Sequence, residues 1–277
     1  MRNERVMQIR VKVGSALLGL LFVLSATVSW IAPQDPDRQH LETSGRLQAP
    51  SVSHPFGTDQ LGRDVLSRVL HGSRISLGLA LITMLLAVIL GTSYGALSGY
   101  VGGATDRILM RFVDLFLTFP LIFFVATCIA LFGNQLSIMA IILALTAWMD
   151  IARLVRGDVL VLKRENFVLR ARTSGLPVWR IFLRYVLPAT LPTVTAAAVL
   201  RMADLILIES AMSFLGLGVQ PPTATWGTIL KDGRHFLSDA WWLAFFPGVA
   251  ILLACLSLYL IGEGFQKHTA KQIQSVR

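Results

Sequence analysis

Charged side chains are scarce in this chain. They make up 15% of its 277 residues, whereas 54% are hydrophobic and the mean hydropathy is +0.64. A soluble domain carries roughly 25% charged residues, so the deficit indicates a membrane protein. The formal net charge is +9, but the basic residues lie between apolar stretches, which argues against nucleic-acid binding.

Groups that carry out catalysis or bind metals are also sparse. The two cysteines, Cys128 and Cys255, each stand alone in an apolar stretch, which favours buried small side chains over metal ligands. The five histidines are scattered without metal-ligand spacing. The sequence has no phosphate-binding loop, no H-E-x-x-H motif and no serine elbow. Any energy source must therefore be an ion gradient or another subunit.

Long uncharged runs predict the membrane-spanning helices, since a helix needs about 20 apolar residues to cross the bilayer core. The run 115–149 is too long for one span, and Gly133-Asn134-Gln135 divides it. The first run exceeds the apolar core of a signal peptide and lacks a clear cleavage site, so it is interpreted as a retained span. The six predicted transmembrane helices lie at 13–32, 75–98, 108–133, 136–155, 189–215 and 241–261.

The distribution of lysine and arginine predicts the orientation, because cytoplasmic loops collect these residues. Eight of them, against two acids, lie between Arg153 and Arg184, whereas the loop before the second span is locally neutral. Both ends of the chain are therefore predicted to be cytoplasmic. The predicted segments are a cytoplasmic N-terminus (1–12), a first transmembrane helix (13–32), an extracytoplasmic loop (33–74), a domain of five helices (75–265) and a cytoplasmic C-terminus (266–277).

The outer loop ends in a stretch that favours a short amphipathic helix. This helix is predicted to begin near Gln60, after a cap at Thr58 or Asp59. It carries two pairs of opposite charge at i,i+4 spacing, Asp59 with Arg63 and Asp64 with Arg68. Such a helix would rest on the membrane surface or on a neighbouring subunit. A carboxylate pair for metal binding or catalysis is disfavoured, because each aspartate has an arginine placed to neutralise it.

The basic segment between the fourth and fifth spans has the pattern of two short helices joined by a hinge. The range Glu165 to Thr173 is predicted to form the first helix, and Gly175 provides conformational freedom after it. Pro177 suits the first turn of the second helix. Leu187-Pro188 is predicted to end that helix, because a residue before proline disfavours helical conformation.

The second of these short helices has two different faces. Trp179, Leu183 and Val186 are predicted to share an apolar face, whereas Arg180 and Arg184 share another. The positive-inside rule explains the charge of the segment. It explains neither the glycine and proline positions nor the aromatic face, so the segment is predicted to bind a partner.

Charged residues inside the predicted spans are functional candidates, because burying them in lipid is costly. The predicted local pairs, each at i,i+3 spacing, are Asp114 with Arg111, Asp150 with Arg153 and Arg201 with Asp204. Glu209 has no such partner in its own helix. It either lines a polar pathway or bonds to a neighbouring helix, and both alternatives stay open. Arg201, Asp204 and Glu209 are the candidate pathway residues.

Three motifs carry a resemblance to a known family. Gly175 and Leu187-Pro188 have the spacing of a cytoplasmic coupling motif, E-A-A-x-x-x-G followed by I-x-L-P. The other two are F-G-T-D-Q-L-G-R-D-V-L-S-R at 56–68 and S-F-L-G-L-G-V-Q-P-P-T-A-T-W-G at 213–227. Over nearly its whole length the chain resembles the permease subunits of bacterial ATP-binding-cassette importers, in the branch that serves dipeptides, oligopeptides and nickel.

The resemblance implies an all-α polytopic membrane protein of the bacterial inner membrane, with six transmembrane helices in the type I importer fold. The implied partners are a second homologous permease subunit, two ATPase subunits docked on the coupling loop 156–188, an extracytoplasmic solute-binding protein and membrane lipid. The ATPases would hydrolyse ATP. This chain would bind no cofactor or metal, would catalyse no reaction, and would form half of a pathway for peptides or for nickel, free or chelated.

The resemblance also assigns residues to ATPase coupling. They are Glu165, Leu169, Arg170, Ala171, Gly175, Arg180, Leu187 and Pro188. The E-A-A of the family falls on Leu169-Arg170-Ala171, so its acidic residue and first alanine are absent here. Docking is therefore expected through Gly175 and the flanking helices, without a salt bridge from that acidic position.

Two other classes of membrane protein compete with the importer permease. A gradient-driven secondary transporter needs no ATPase and usually shows inverted internal repeats, which this sequence lacks. Six spans would also be few for a single-chain carrier. An integral-membrane enzyme would need a clustered set of catalytic residues, and the sequence offers none.

Overall fold

Helices account for nearly all the regular structure in the computed structural model. The structure describes residues 2–31, 35–39 and 45–276, and these ranges contain no β-strand. Residues 32–34 and 40–44, around the start of the predicted outer loop, lie outside the described residues. The helices are α1 (Arg2–Ala26), α2 (Val28–Ile31), α3 (Val65–Val101), α4 (Gly103–Leu117), α5 (Leu121–Phe132), α6 (Leu136–Leu162), α7 (Asn166–Thr173), α8 (Val178–Ile181), α9 (Leu187–Phe214), α10 (Trp226–Gly233) and α11 (Trp242–Val276).

Five stretches of helix in the described residues are long and apolar enough to cross a membrane. They are Met7–Ala26, Val65–Val101, Leu136–Leu162, Val178–Phe214 and Trp242–Gln266. α4 and α5 pass the same test together, but they are bent by 85° at a short break. The prediction of an all-α polytopic membrane protein is confirmed, with five spans, or six if the bent pair counts as one.

The bend between α4 and α5 differs from the single straight helix predicted over 108–133. α4 ends at Leu117, and the Thr118 hydroxyl and N–H both donate to the Leu115 carbonyl, at 2.6 and 3.3 Å. Pro120 explains the break, because proline has no N–H and disfavours helical conformation at the preceding Phe119. The 12 residues of α5 extend only about 18 Å, which is shorter than the bilayer core.

The helices form two compact units that share several long helices. The first unit comprises Met1–Ile82, Ala126–Ala140 and Met202–Ile261, and the second comprises Thr83–Val125, Ile141–Arg201 and Gly262–Arg277. The first unit contains the segment before α3 and the short helix α10. The second contains α4, α7 and α8, and therefore the whole basic segment.

The polar stretch before α3 folds as a turn. The prediction of a helix from Gln60 is wrong, because α3 begins at Val65 and runs unbroken to Val101. The Asp59 carboxylate accepts the backbone N–H groups two and four residues later, each at 2.9 Å. Gly62, inside this turn, has a φ of 72°. A left-handed residue within a closed turn cannot continue a right-handed helix.

A cluster of four charges, three of them buried, fixes this turn within the first unit. The Asp59 carboxylate accepts from Arg63 at 2.7 Å, as predicted, and from Arg68 at 2.5 Å. Both arginines also reach Asp232, at 3.3 Å. The predicted pair of Asp64 with Arg68 is wrong: the Asp64 carboxylate caps α3 by accepting the N–H three residues later, at 2.8 Å. No group of three or more His, Cys, Asp or Glu in the described residues could hold a metal ion.

Close packing of α3 on α6 organises the second unit. A Cβ atom added at Gly91 or Gly99 would lie 2.5 or 2.9 Å from a carbonyl oxygen of α6, and one added at Gly95 would overlap the carbonyl of Ala152. Glycines one turn apart therefore let the two backbones approach closely.

Gly95→Ala is expected to destabilise the protein by about 1–3 kcal/mol, because an extra methyl group forces the packed backbones apart. Gly78→Ala in the same helix is the matched control, since an added Cβ there meets nothing within 4 Å and alanine is the better helix former. The measurement is the thermal unfolding midpoint of the two purified variants. Equal midpoints would contradict the role assigned to Gly95.

Candidate functional site

The basic segment forms the predicted pair of short helices. α7 runs from Asn166 to Thr173, with Glu165 in an extended conformation as its N-cap residue. Gly175 follows with a φ of 74°, a left-handed conformation that favours glycine. α8 then begins at Val178. The helix–hinge–helix prediction for this segment is confirmed.

The junction at Leu187-Pro188 is different from the predicted helix end. Residues Phe182–Val186 form a π-helical turn, and α9 starts at Leu187 without a gap. The Leu187 N–H donates to the Phe182 carbonyl five residues earlier. Proline lacks an N–H and its ring crowds the carbonyl four residues earlier, and a π turn just before Pro188 accommodates this without ending the helix. The prediction of a break at this point is wrong.

The projecting surface of α8 and the π turn after it combines apolar and cationic side chains. Val178, Trp179 and Leu183 are 61%, 60% and 53% exposed. Val186 was predicted on the same face but is fully buried, because the π turn changes the number of residues per turn and rotates it inward. The Arg180 guanidinium lies 5.2 Å from the centre of the Trp179 ring, within cation–π distance.

Contacts to the end of α3 fix the segment within the second unit. The Tyr100 hydroxyl donates to the Val178 carbonyl at 3.2 Å, and its ring meets Phe182 edge-on at 5.1 Å. The Lys163 ammonium donates to the Gly99 carbonyl at 3.0 Å. The end of α3 therefore contacts α8, the turn that follows it and the residue just after α6, which places the segment against one end of a long helix.

The remaining coupling candidates occupy both sides of the segment. Leu169 and Arg170 are exposed, and Ala171 is buried beneath them. Glu165 and Leu187 are partly buried, whereas Gly175, Arg180 and Pro188 are exposed. The Arg170 carbonyl accepts from the Ser174 N–H at 3.0 Å, which closes α7 before the glycine hinge.

Charged side chains in the long helices pair across helices. Arg153 donates to Asp114 at 2.5 Å, and Arg201 lies 3.2 Å from Asp150. The predicted pairs of Asp114 with Arg111 and of Asp150 with Arg153 are wrong, because α4, α6 and α9 bring closer partners from neighbouring helices.

The two pathway candidates beyond Arg201 lie in the first unit. The Tyr259 hydroxyl donates to Asp204 at 2.9 Å. The Glu209 carboxylate, 2% exposed, accepts from Ser213 at 2.8 Å and from Ser76 at 3.4 Å. Glu209 therefore bonds to a neighbouring helix, as one of its two alternatives predicted, and a role in the pathway stays a prediction.

Glu209 belongs to a buried connection between α3, α9 and α10. The Ser76 hydroxyl, which donates to the carboxylate, accepts the Trp226 N–H at 3.3 Å. The Trp226 indole N–H donates to the Val69 carbonyl at 3.1 Å. Sequence reasoning did not single out these partners. Ser213, four residues after Glu209, was recognisable by its spacing, but Ser76 has no local signal.

The motifs and this geometry agree with comparisons to known proteins. Residues 87–273 match the family described as binding-protein-dependent transport system inner membrane component. The chain belongs to this family. The permease is 37% identical over 253 residues to the oligopeptide transport system permease protein OppC of Haemophilus influenzae, covering 90% of this chain and 80% of that protein.

Two further relatives match a similar share of the permease. It is 34% identical over 258 residues to the nickel transport system permease protein NikC of Escherichia coli, which covers 93% of this chain and 92% of that protein. It is 34% identical over 273 residues to the glutathione transport system permease protein GsiD of Pectobacterium atrosepticum, covering 98% and 90%. The chain is thus a multi-pass permease subunit of an ATP-binding-cassette importer, a transport system with ATPase and binding-protein partners. The gradient-driven alternative is not supported.

Glu209→Gln is expected to change the uptake kinetics of the permease without loss of complex assembly, if the carboxylate charge contributes to the pathway. Ser213→Ala is the control, because it removes the 2.8 Å hydrogen bond and leaves the charge. Uptake rates and the yield of the purified complex are measured for both variants. If Glu209→Gln left the uptake rate unchanged, the role of Glu209 would be structural only.

Proposed function

We propose that this permease forms half of the translocation pathway of an ATP-driven importer in the bacterial inner membrane. A second homologous permease would supply the other half. Two ATPase subunits would dock on the coupling loops, and an extracytoplasmic binding protein would deliver the substrate. Both chain ends and the segment 156–188 lie on the cytosolic side in this arrangement, as the lysine and arginine distribution favours.

The observation that carries this proposal is the surface of the segment Asn166–Val186. Its exposed apolar side chains stand among exposed arginines, at 170, 172, 180 and 184. Arginines do not suit the lipid core, and a tryptophan that is 60% exposed does not suit water. Buried aromatic and arginine anchors are typical of protein–protein interfaces, so a docked ATPase subunit is the partner that fits.

The attachment of the segment to α3 provides a route for coupling. Closure of the two ATPases on ATP would move the docked segments, and Tyr100 and Lys163 would transmit that movement to α3. Because α8 continues through the π turn into α9, the same movement would act on α9 directly. The pathway would then change from inward to outward access, and hydrolysis by the ATPases would reset it.

The substrate class follows from the relatives alone. The names of the relatives refer to oligopeptides, nickel and glutathione, and we infer a small peptide or nickel, free or chelated, as cargo here. Selection among these would lie with the external binding protein. Arg201, Asp204 and Glu209 are the residues of this chain proposed for contact with the pathway.

Gly175→Pro is expected to abolish transport and ATPase binding while leaving membrane insertion intact. Proline fixes φ near −65°, whereas Gly175 has a φ of +74°, so α7 and α8 would lose their relative orientation. Gly133→Pro is the matched control, since Gly133 also has a positive φ of 88° but lies between α5 and α6. The measurement is co-purification of the ATPase with each variant. Co-purification of the ATPase with Gly175→Pro at the normal yield would contradict the role of this segment in ATPase docking.

Deletion of the gene is expected to reduce uptake of either labelled nickel or a labelled dipeptide, because the importer would be the route by which its substrate enters the cell. Loss of nickel uptake alone would identify a metal importer, and loss of dipeptide uptake alone a peptide importer. The control is complementation with the intact gene. If neither uptake changed, the proposed substrate class would be wrong, although ATPase binding would still test the permease role separately.

A further inference from the structure

A cleft lined by four arginines lies in the second unit, against α4 and the adjoining part of α6. Its volume is about 1060 Å³. The arginines are Arg107 and Arg111, one turn apart on α4, and Arg153 and Arg156 on α6. We call this feature the arginine cleft. It contains none of the individual residues proposed for coupling or for the pathway, although Arg156 is the first residue of the coupling loop 156–188.

The arginine cleft carries excess positive charge. Arg156 binds Asp106 through two hydrogen bonds, at 2.5 and 2.7 Å, and Arg153 is paired with Asp114. Arg107 and Arg111 are exposed, and within the described part of the chain neither guanidinium has an acidic partner within ion-pair distance. Four cations therefore face two carboxylates, and the two cations on α4 remain to be neutralised from outside.

The same face of α4 is also strongly apolar. Ile108, Phe112 and Leu115 line the cleft and are 70%, 48% and 57% exposed. Met110, at the edge of the cleft, is buried, and so is Val113, which does not line it. α4 thus packs one face within the unit and presents a second face on which unpaired guanidinium groups alternate with exposed apolar side chains.

An occupant of the arginine cleft must satisfy both properties. A dissolved inorganic anion would neutralise the guanidinium groups but leave the apolar side chains in water. An apolar partner would cover those side chains but bury unpaired charge at high cost. A molecule with an anionic head and hydrocarbon chains matches both. Guanidinium groups bind phosphate oxygens through paired, charge-assisted hydrogen bonds.

We propose that the arginine cleft binds the headgroup of an anionic phospholipid. The phosphate lies between Arg107 and Arg111, and the acyl chains lie along Ile108, Phe112 and Leu115. A helix with this distribution of side chains lies in the membrane interface rather than across it, which agrees with the 85° bend after α4. Basic pockets between helices at the cytoplasmic surface are suited to such headgroups. This inference does not depend on which substrate the permease transports.

The test uses the intact transporter with its partner subunits, in nanodiscs of phosphatidylcholine alone or mixed with phosphatidylglycerol. Native mass spectrometry counts the retained lipids, and a titration gives the affinity for phosphatidylglycerol. The double variant Arg107→Gln with Arg111→Gln is expected to bind phosphatidylglycerol about 30-fold more weakly, since each basic residue near an anionic surface contributes a comparable electrostatic stabilisation. The variant Arg107→Lys with Arg111→Lys keeps both charges and should retain most of the affinity.

The matched control removes the same charge elsewhere. Arg46→Gln with Arg234→Gln changes two exposed arginines that lie outside the cleft, and it should leave phosphatidylglycerol binding unchanged. Equal binding by the Arg107/Arg111 double variant and the unaltered protein would overturn the proposal. An equal loss of phosphatidylglycerol affinity in the control variant would also contradict the proposal, because the overall surface charge would then explain the binding. Full competition by inorganic phosphate would indicate a soluble anion as the occupant, and a raised KM for uptake with unchanged lipid binding would indicate the substrate.

Discussion

Polar groups within a bilayer must find their partners inside the protein, and this constraint governs the whole permease. Water is absent from the hydrocarbon core, so every backbone N–H and C=O in a span needs an internal hydrogen bond. Helices meet that need locally, which is why long helices dominate the described residues. A charged side chain in a span cannot be satisfied by its own backbone and needs a partner from another helix, as Arg201 has in Asp150.

Pro120 and Pro188 show two different ways in which the backbone of a helix meets this constraint at a proline. After α4, Pro120 ends the helix, and Thr118 closes the last turn with its own hydroxyl. In the first turn of α9, Pro188 leaves the helix continuous, because the preceding π turn supplies the Leu187 N–H with the Phe182 carbonyl. The first solution frees α4 to present its arginines and apolar side chains together. The second joins the proposed docking surface directly to a membrane span, so that a partner's movement acts on the span rather than on a flexible loop.

The proposed docking surface combines rigid and adaptable parts. Tyr100 and Lys163 hold it to the end of α3, whereas Gly175 sets the angle between its two short helices. Leu169, which the proposal places at the acidic position of the coupling motif, is 45% exposed. Docking energy would therefore come from apolar anchors with arginine neighbours rather than from a carboxylate. A partner ATPase would need an apolar groove with acidic edges to match.

By itself the sequence determined the class of protein, the approximate spans, the basic segment and the hinge at Gly175. These depend on composition, on the length of apolar runs and on local backbone preference, all of which can be read from neighbouring residues. It also fixed the Asp59–Arg63 pair, because that pair needs only four residues. The tertiary structure alone decided that Arg68 binds Asp59 and Asp232, that Val186 turns inward, and that α4 bends away from α5. Those outcomes depend on which distant helix lies nearest to each side chain, and no periodicity along the chain encodes that distance.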